Sequence, residues 1–266
     1  MRDYSTIEVV RDGAVDWLTL NRPERLNALD GTMVRELWDY FDALQSNYRQ
    51  RVVVMRGAGK GFCAGLDLTW FQKSREGLPP GDTDAGPGPS LDGIILKMRA
   101  CPQAIVALVH GAACGGGFNL ALASDIRLAG RSARMNVAFV KLGLSGCELG
   151  TSYFLPRMVG MSVAAELMMT GRFIGADRAL AAGLVSQVVE DDELEAEARA
   201  LVEDLLAASP IGLRKTKRVL PRAAEIDDLA SVIALEERTQ LQCIEAGPFG
   251  ASVAEALGGG SKTRAE

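Results

Sequence analysis

Three consecutive glycines, Gly115, Gly116 and Gly117, stand at the point where an apolar run, residues 104–109, is followed by a helical pattern. A strand that leads through a glycine turn into a helix is typical of α/β folds. The first backbone N–H groups of such a helix have no intrahelical acceptor, and glycine lets another backbone or a ligand approach them closely. The junction therefore predicts either a donor site for an oxygen that becomes negative during a reaction, or tight packing of the helix on the strand.

A second glycine-rich segment also follows a short apolar strand. Residues 52–55 read Val-Val-Val-Met, and the segment 57–68 behind them contains four glycines. The segment lacks the Lys-Ser/Thr ending of a nucleotide P-loop, so we do not expect it to bind phosphate in that way. Two matching strand exits favour a functional site over packing alone.

The rest of the core alternates strands with helices. Residues 7–20 predict a hairpin that turns at Asp12-Gly13, and Asp30 is placed to cap the helix that follows. The further predicted elements are helices at 91–99 and 176–182 and strands at 125–129 and 184–189. This alternation predicts a mixed or parallel sheet with helices outside it.

Two other segments differ in composition from this core. Between Gly77 and Ser90, eight of the fourteen residues are Gly or Pro, which predicts a mobile surface loop: either a lid that orders on ligand binding or a plain insertion. Residues 191–266 are almost entirely helical in pattern, with amphipathic faces that need a covering surface. We therefore predict an α/β core at residues 1–190 and a helical oligomerisation region at residues 191–266.

Composition argues against several classes of protein. Apolar residues make up 48% and charged residues 24% of the chain, as in an ordinary soluble domain, and the net charge of −5 gives no reason to expect nucleic acid or an anionic membrane as a partner. The five cysteines are scattered and suggest neither a disulfide framework nor a metal site. The sequence shows no signal-peptide pattern and no apolar stretch of the length that a membrane span needs. We expect a cytoplasmic protein.

Four blocks of the sequence resemble the crotonase superfamily, the enoyl-CoA hydratase/isomerase family, in their order and spacing. They are Asn21-Arg22-Pro23-Glu24-Arg25-Leu26-Asn27-Ala28-Leu29, the segment 57–68, His110-Gly111-Ala112-Ala113-Cys114-Gly115-Gly116-Gly117, and Leu155-Pro156-Arg157 with Thr170-Gly171-Arg172. The resemblance implies a crotonase-like spiral of ββα turns and a C-terminal α-helical region that packs homotrimers, often paired into hexamers. It also implies an acyl-coenzyme A thioester as the substrate, with no separate cofactor and no metal.

The same resemblance assigns roles in binding. The thioester oxygen would accept hydrogen bonds from the backbone N–H groups of Leu66 and Gly116, which stabilise the enolate formed when a proton is removed next to the carbonyl. Ala28 and Ala64 would border the adenine of coenzyme A. Arg22 and Arg25 are candidates to bind its phosphates. The alternative is that both arginines simply belong to a solvated charged loop.

The sequence departs from the family where its hydratases carry two catalytic glutamates. The first position is Asn119, which orients a water but accepts no proton at neutral pH, and the second is Phe139, which does neither. Glu148 instead lies where dienoyl-CoA isomerases of the family have an acid that moves protons, and Tyr153 is a candidate to reach the same pocket. Burial would raise the pKa of a carboxyl at Glu148 and suit it to act as a base near neutrality. The alternative role of Glu148 is to stabilise the N-terminus of the next helix through its negative charge.

Four other reactive side chains have simpler interpretations. Asp67 stands next to Leu66 and is expected to fix a loop through a hydrogen bond or its charge. His110, the only histidine of the chain, is expected to have a structural role. Cys114 and Cys147 lack a base that would activate a thiol, so we expect them to fill space.

Two functions fit this pattern. The first is an enzyme that hydrates an enoyl-CoA or isomerises its double bond, with Glu148 as its single acid and base. The second is a protein that binds acyl-CoA and has lost turnover, because both expected glutamates are absent. The presence of Glu148 favours the enzyme.

Overall fold

The computed structural model describes residues 3–74, 76 and 88–247. The strands are β1 (Ile7–Asp12), β2 (Val15–Leu20), β3 (Val52–Gly57), β4 (Ala104–Val109), β5 (Ala112–Cys114), β6 (Ile126–Gly130), β7 (Arg134–Asn136), β8 (Ile174–Gly175) and β9 (Gln187–Val189). The helices are α1 (Gly31–Leu44), α2 (Leu68–Ser74), α3 (Leu91–Ala100), α4 (Gly116–Ala123), α5 (Thr151–Thr170), α6 (Ala176–Ala181), α7 (Leu194–Ala207), α8 (Pro210–Ala223) and α9 (Leu229–Glu245). Short 3₁₀ helices occupy Pro23–Arg25 and Ala138–Leu142.

In the described part of the chain, a six-stranded sheet has the order β1-β2-β3-β4-β6-β9. β1 and β2 are antiparallel, and the later pairs of this sheet are parallel. A second sheet has the order β5-β7-β8. The mixed α/β architecture predicted from the alternation of strands and helices is confirmed.

The glycine junction lies at the centre of the core. β4 is buried at every residue, as its unbroken apolar run predicts for a central parallel strand. α4 is also buried at every position, because Asn119 is its only residue with a polar side chain. α1 buries one face, and Asp30 caps it by accepting a hydrogen bond of 2.9 Å from the Met33 N–H. The sheet and these helices therefore hold the loops that follow β3 and β4 in fixed positions.

Two strand boundaries differ from the sequence prediction. The hairpin turns at Gly13-Ala14, one residue later than predicted. The last strand begins at Gln187 rather than at Leu184. The Leu184 N–H donates to the Ala179 carbonyl at 2.8 Å, so this residue belongs to the end of α6 and not to the strand.

α5 contains a break. It is the helix that follows Glu148, and it extends from Thr151 to Thr170. Gly160 has a φ of 77° and a ψ of 160°, which interrupts the helix there. Glycine reaches this conformation without a steric penalty, so the chain bends and then resumes its helix.

The chain divides into two compact units between Glu203 and Asp204. The division falls inside α7, because the first part of α7 packs against the first unit, with the Arg199 guanidinium 4.5 Å from the centre of the Trp17 ring. The buried side chains of α7 are Leu194, Ala198 and Val202. The functional boundary predicted at residue 190 stays a prediction.

The described part of the second unit consists of the end of α7, then α8 and α9. Ser209 caps α8 and Asp228 caps α9 through their side chains. No residue of α9 is buried in the single chain. The helical pattern predicted for this region is confirmed as far as residue 247.

Two parts of the prediction lie wholly or mainly outside the described residues. These are the loop Gly77–Ser90, of which only residues 88–90 are described, and the chain beyond residue 247. Among the described helices, none has both the length and the apolar character required to cross a membrane.

Candidate active site

Two loops that leave the central sheet are joined edge to edge and form one wall of the candidate site. The Ala64 N–H donates to the Leu26 carbonyl at 2.9 Å, and the Leu29 N–H donates to the Gly65 carbonyl at 2.7 Å. The Asp67 N–H continues the ladder by donating to the Leu29 carbonyl at 3.0 Å. The ladder brings the two segments predicted to contact adenine side by side.

Asn27 holds the first of these loops in a left-handed turn. Its φ is 56°, and its side chain is fully buried. Its amide donates to the carbonyls of Ala58 and Gly61, each at 2.9 Å, and its Oδ1 accepts a hydrogen bond of 2.9 Å from the Arg22 N–H. These bonds stabilise a backbone conformation that is uncommon outside glycine and so fix the position of Ala28, the next residue.

The backbone N–H groups of Leu66 and Gly116 lie where the two glycine-rich loops meet. Neither donates a hydrogen bond to any of the described residues. The two loops touch at this point, since a Cβ placed on Gly65 would lie 3.4 Å from the Gly116 nitrogen. Gly116 is also the first residue of α4, where the helix dipole favours negative charge. Two free donors on adjoining segments fit the oxyanion site predicted from the two glycine loops.

Two arginines hold the opposite end of α4. Arg99 donates to the Ala123 carbonyl at 3.1 Å, and Arg127 donates to the carbonyls of Ala121 at 3.3 Å and Ser124 at 2.7 Å. Burial lowers the pKa of Arg127 to about 10, so the guanidinium keeps its charge at neutral pH. Cations at the C-terminus interact favourably with the helix dipole and stabilise the helix that carries the Gly116 N–H.

Apolar side chains surround the Gly116 N–H. The side chains nearest to the position of a Cβ on Gly116 are Leu29 at 3.1 Å, Leu91 at 3.5 Å and Leu149 at 3.7 Å. The half-buried Phe139 ring lies 3.5 Å from the equivalent position on Gly115. Apolar surroundings exclude water and strengthen a hydrogen bond to developing charge.

Asn119 is used differently from the prediction. Its side chain is 1% exposed, and its Nδ2 lies 2.8 Å from the Thr151 Oγ1, 3.0 Å from the Leu149 carbonyl and 3.2 Å from the Glu148 carbonyl. The amide that was expected to orient a water therefore holds the turn 148–151 against α4. The Asn119 Oδ1 has no hydrogen-bond partner among the described residues.

Glu148 is exposed in the single chain, and the prediction of burial is wrong for it. It lies in the largely exposed segment 141–148, three residues before the first residue of α5. Its carboxylate makes no hydrogen bond or ion pair with the part of the chain that is described, and so is available to a ligand. Tyr153 follows in the first turn of α5, 38% exposed, with the Arg157 guanidinium 3.9 Å from the centre of its ring.

Arg22 takes part in ion pairs that fix the loops. Its Nη2 lies 3.2 Å from an Asp30 oxygen and 3.1 Å from an Asp67 oxygen, and its Nη1 donates to the Ala28 carbonyl. A hydrogen bond from the Trp70 N–H lowers the pKa of Asp67, burial opposes this, and Arg22 lowers the pKa further. The loop-fixing role predicted for Asp67 is confirmed. A phosphate at Arg22 would compete with two carboxylates.

The remaining candidates lie apart from this arrangement. Arg25 is exposed at the end of the first 3₁₀ helix. The His110 Nε2 lies 3.0 Å from the Gly59 carbonyl, a structural contact. Burial raises the pKa of the half-buried Cys114 thiol, and Cys147 is exposed. Within the described ranges, no group of three or more His, Cys, Asp or Glu side chains is arranged to hold a metal.

Some residues that shape the site were missed at the sequence level. The role of Asn27 in holding its loop in a left-handed turn had a local signal, because asparagine tolerates left-handed backbone in turns. Leu91 and Leu149 had none, since each reaches Gly116 from a segment distant in sequence. The donor role of Asn119 likewise depends on a turn that begins at residue 148.

Two N–H groups on adjoining loops without an acceptor among the described residues, one of them surrounded by apolar side chains, are the arrangement that polarisation of a carbonyl oxygen requires. The family model described as "Enoyl-CoA hydratase/isomerase" matches residues 11–252. The chain belongs to this family.

Individual relatives agree with this assignment. The chain is 37% identical over 226 residues to the Mycobacterium leprae protein named "Probable enoyl-CoA hydratase echA12". The aligned region covers 84% of this chain and 77% of that protein. It is 33% identical over 237 residues to the Arabidopsis thaliana protein named "Delta(3,5)-Delta(2,4)-dienoyl-CoA isomerase, peroxisomal", covering 85% of each. The crystal structure of an enoyl-CoA hydratase from Mycobacterium smegmatis matches with a TM-score of 0.84 at 31% identity, over 95% of this chain and 96% of that chain. The crotonase-like fold expected from four sequence blocks is confirmed.

Proposed function

We propose that the protein isomerises the double bond of an enoyl-CoA, that it hydrates enoyl-CoA more weakly, and that Glu148 is its single acid and base. The observation that carries the proposal is the pair of free N–H groups at Leu66 and Gly116, next to a turn that α4 holds and that presents Glu148. Membership of a hydratase and isomerase family supports the substrate class. No separate cofactor is needed, because coenzyme A is part of the substrate.

Isomerisation needs only one proton carrier. The thioester oxygen accepts hydrogen bonds from Leu66 and Gly116, which makes the proton on the adjacent carbon, C2, acidic. The Glu148 carboxylate removes that proton, and the electron pair of the C–H bond spreads over the carbonyl and the neighbouring double bond. Glu148 then returns the proton at C4, so the double bond moves by one position and the carboxylate is regenerated.

Hydration places a larger demand on the same site. A water must be oriented and deprotonated while the carbon next to the carbonyl is protonated. Asn119 and Phe139 stand at the two positions where the hydratases of this family carry glutamates, and neither side chain accepts a proton. The amide of Asn119 is already bound to the turn 148–151, which leaves Tyr153 as the side chain to steady a water. We therefore expect hydratase activity to be low.

The coenzyme A part of the substrate would bind along the paired loops. Ala28 and Ala64 would border the adenine, and the hydrogen-bond ladder between their loops fixes the two loops side by side. Of the two arginines, the exposed Arg25 is the better candidate for a phosphate, because Arg22 is held by Asp30 and Asp67.

The same proposal places the protein in the cytoplasm as a homotrimer. Pairing of two such trimers would give a hexamer. The apolar residues that α9 leaves exposed support an assembly role for the second unit.

The Glu148→Gln variant tests the mechanism. Glutamine keeps the size and polarity of the side chain but accepts no proton, so we expect kcat for isomerisation and for hydration to fall by at least about a hundredfold, the usual scale for a general acid and base. The shift of an enoyl-CoA double bond into conjugation is followed by absorbance. Glu203→Gln, which removes an exposed acid of α7, is the matched control and should keep full activity.

Calorimetry on the same variant separates binding from chemistry. An acyl-CoA should bind Glu148→Gln as tightly as wild type, because the backbone donors and the paired loops are unchanged. If Glu148→Gln kept full activity on every substrate of the wild type, Glu148 would not be the catalytic acid and base, and its role would be to stabilise the N-terminus of α5. A folded protein that gave no binding heat with any acyl-CoA would count against the proposed substrate class.

A further inference from the structure

The side chain of Asn119 joins the helix that carries the Gly116 N–H to the turn that carries Glu148. Its Nδ2 is within 3.2 Å of three oxygens of that turn: the carbonyls of Glu148 and Leu149 and the hydroxyl of Thr151. Gly116 and Asn119 are three residues apart, so they lie on the same side of α4. Both face the turn, since Leu149 Cδ1 lies 3.7 Å from the position of a Cβ on Gly116.

The orientation of the Asn119 amide is fixed by its partners. The Thr151 hydroxyl donates to the Glu148 carbonyl at 2.6 Å, so towards Asn119 it acts as an acceptor. The other two partners are carbonyl oxygens and can only accept. The side chain must therefore present its NH₂ group, and its oxygen points elsewhere.

The turn needs such support because its backbone is uncommon. Leu149 has a φ of 51°, and the next residue, Gly150, has a φ of 79°. A residue with a Cβ in the left-handed region carries a steric cost. The Asn119 NH₂ group binds the carbonyls of Glu148 and Leu149, which belong to the peptide groups before and after the Leu149 Cα, and so holds this conformation in place.

We propose that Asn119 is a positioning residue for Glu148: it fixes the distance between the Glu148 turn and the oxyanion donor of α4, and it commits the site to chemistry with one carboxylate. The inference rests on the proposed function for its catalytic part. A glutamate at position 119 would face three acceptor oxygens with no donor of its own. The two-glutamate arrangement of hydratases and the turn that presents Glu148 therefore exclude each other in this chain.

The Asn119→Asp variant tests the catalytic part, because it keeps the shape of the side chain and removes the donors. We expect kcat for isomerisation to fall by about thirtyfold or more while KM for the acyl-CoA changes by less than about threefold. In a Glu148→Gln background the same substitution should lower kcat by less than about threefold, because Asn119 acts through Glu148. Multiplicative losses in the double variant would overturn the positioning role. Asn119→Glu should lose isomerisation without any gain in hydration, and a gain in hydration would also overturn it.

Hydrogen exchange tests the structural part without reference to activity. In Asn119→Asp the backbone amides of Thr151, Tyr153 and Phe154, which bond to the carbonyls of Glu148 and Gly150, should exchange faster than in wild type. Asn136→Asp is the matched control: Asn136 is also buried, its amide donates to the Gly171 carbonyl at 3.1 Å, and its loss should leave these three amides unchanged.

The two measurements distinguish the possible failures. Unchanged exchange in Asn119→Asp would overturn the inference whatever the activity. Full activity of Glu148→Gln together with faster exchange in Asn119→Asp would overturn the proposed function and the catalytic part of the inference, and would support the fixed turn alone.

Discussion

Glu36 is the residue that attaches the first strand to the first helix. One carboxylate oxygen accepts hydrogen bonds from the Ser5 N–H at 2.7 Å and the Ser5 hydroxyl at 2.8 Å. The other accepts from the Thr6 N–H at 2.9 Å, the Thr6 hydroxyl at 2.6 Å and the Ile7 N–H at 3.2 Å. Five donors on one carboxylate strongly favour its ionised form.

The stability that Glu36 contributes should depend on pH. Burial raises its pKa, but the hydrogen bonds from Thr6 and Ser5 outweigh burial and leave the pKa below its ordinary value of 4.5. The contribution is therefore present above that value and is lost as the pH falls through the lowered pKa of the folded state. We expect Glu36→Gln to lose about 2 kcal/mol of the free energy of unfolding at neutral pH, because glutamine turns an NH₂ group towards donors.

Urea denaturation at neutral pH and at about pH 3 checks this expectation. The difference between wild type and Glu36→Gln should shrink at the lower pH. Glu190→Gln serves as the control, since Glu190 forms an exposed ion pair with Arg131, which contributes little. A difference that stayed constant between the two pH values would contradict the assigned role of Glu36.

At the scale of single residues, the sequence predicted what depends on neighbours along the chain. Asp30 caps α1 by accepting from the Met33 N–H, three residues on, and Asp67 fixes its loop by accepting from the Trp70 N–H, also three residues on. The exposure of Glu148 and the donor role of Asn119 were not predictable in this way. Both depend on how the turn 148–151 meets α4, which only the packed structure defines.

At the scale of elements, α4 is placed by a glycine that leaves no room for a side chain. A Cβ on Gly117 would lie 2.3 Å from the Cys63 carbonyl oxygen and 2.7 Å from the Cys63 sulfur. Cys63 is buried in the second glycine loop, and burial raises the pKa of its thiol to about 12, so it remains neutral. The close contact of α4 with this loop is what brings the N–H groups of Gly116 and Leu66 together.

Gly117→Ala should push α4 away from the loop that carries Leu66. Alanine favours a helix over glycine by about 1 kcal/mol, but the contact with backbone cannot relax, and overpacking of this kind costs about 1–3 kcal/mol. We expect a net loss of unfolding free energy and a fall in kcat of at least about tenfold, because an oxyanion donor is displaced.

Gly175→Ala is the matched control for that substitution. Gly175 precedes α6, and nothing lies within 4 Å of the position of its Cβ. Thermal denaturation and kcat should both stay close to wild type in this variant. A Gly117→Ala protein with wild-type stability and kcat would show that α4 is not held by this contact.

Three of the elements that the sequence missed are too short to show a period. β5, β7 and β8 have two or three residues each, and alternation of apolar and polar positions cannot be recognised over that length. β1, β2, β3, β4 and β6 have five or six residues each, and strands of this length, like the capped helices, carry a recognisable pattern.

At the scale of the whole molecule, the second unit leaves apolar surface that the single chain does not cover. α8 and α9 border a groove of about 850 Å³, lined by apolar side chains that include Leu220, Ile233, Leu241 and Ile244. These four side chains are between 45% and 69% exposed. An isolated helix is marginally stable in water, and most helical stability comes from burial of an apolar face. The groove is therefore a surface that we expect a second copy of the chain to cover.

Light scattering tests the proposed trimer directly. Wild type should have a mass of about 85 kDa, three times the 28.3 kDa of one chain. Leu241→Asp places a charge in the groove and should shift the population to smaller species, because an unpaired charge at an apolar interface is strongly unfavourable. Leu96→Asp, at a leucine of α3 that is 70% exposed, should leave the mass unchanged. A wild type that remained a monomer at micromolar concentration would contradict the assembly, and equal effects of the two substitutions would place the contact outside the groove.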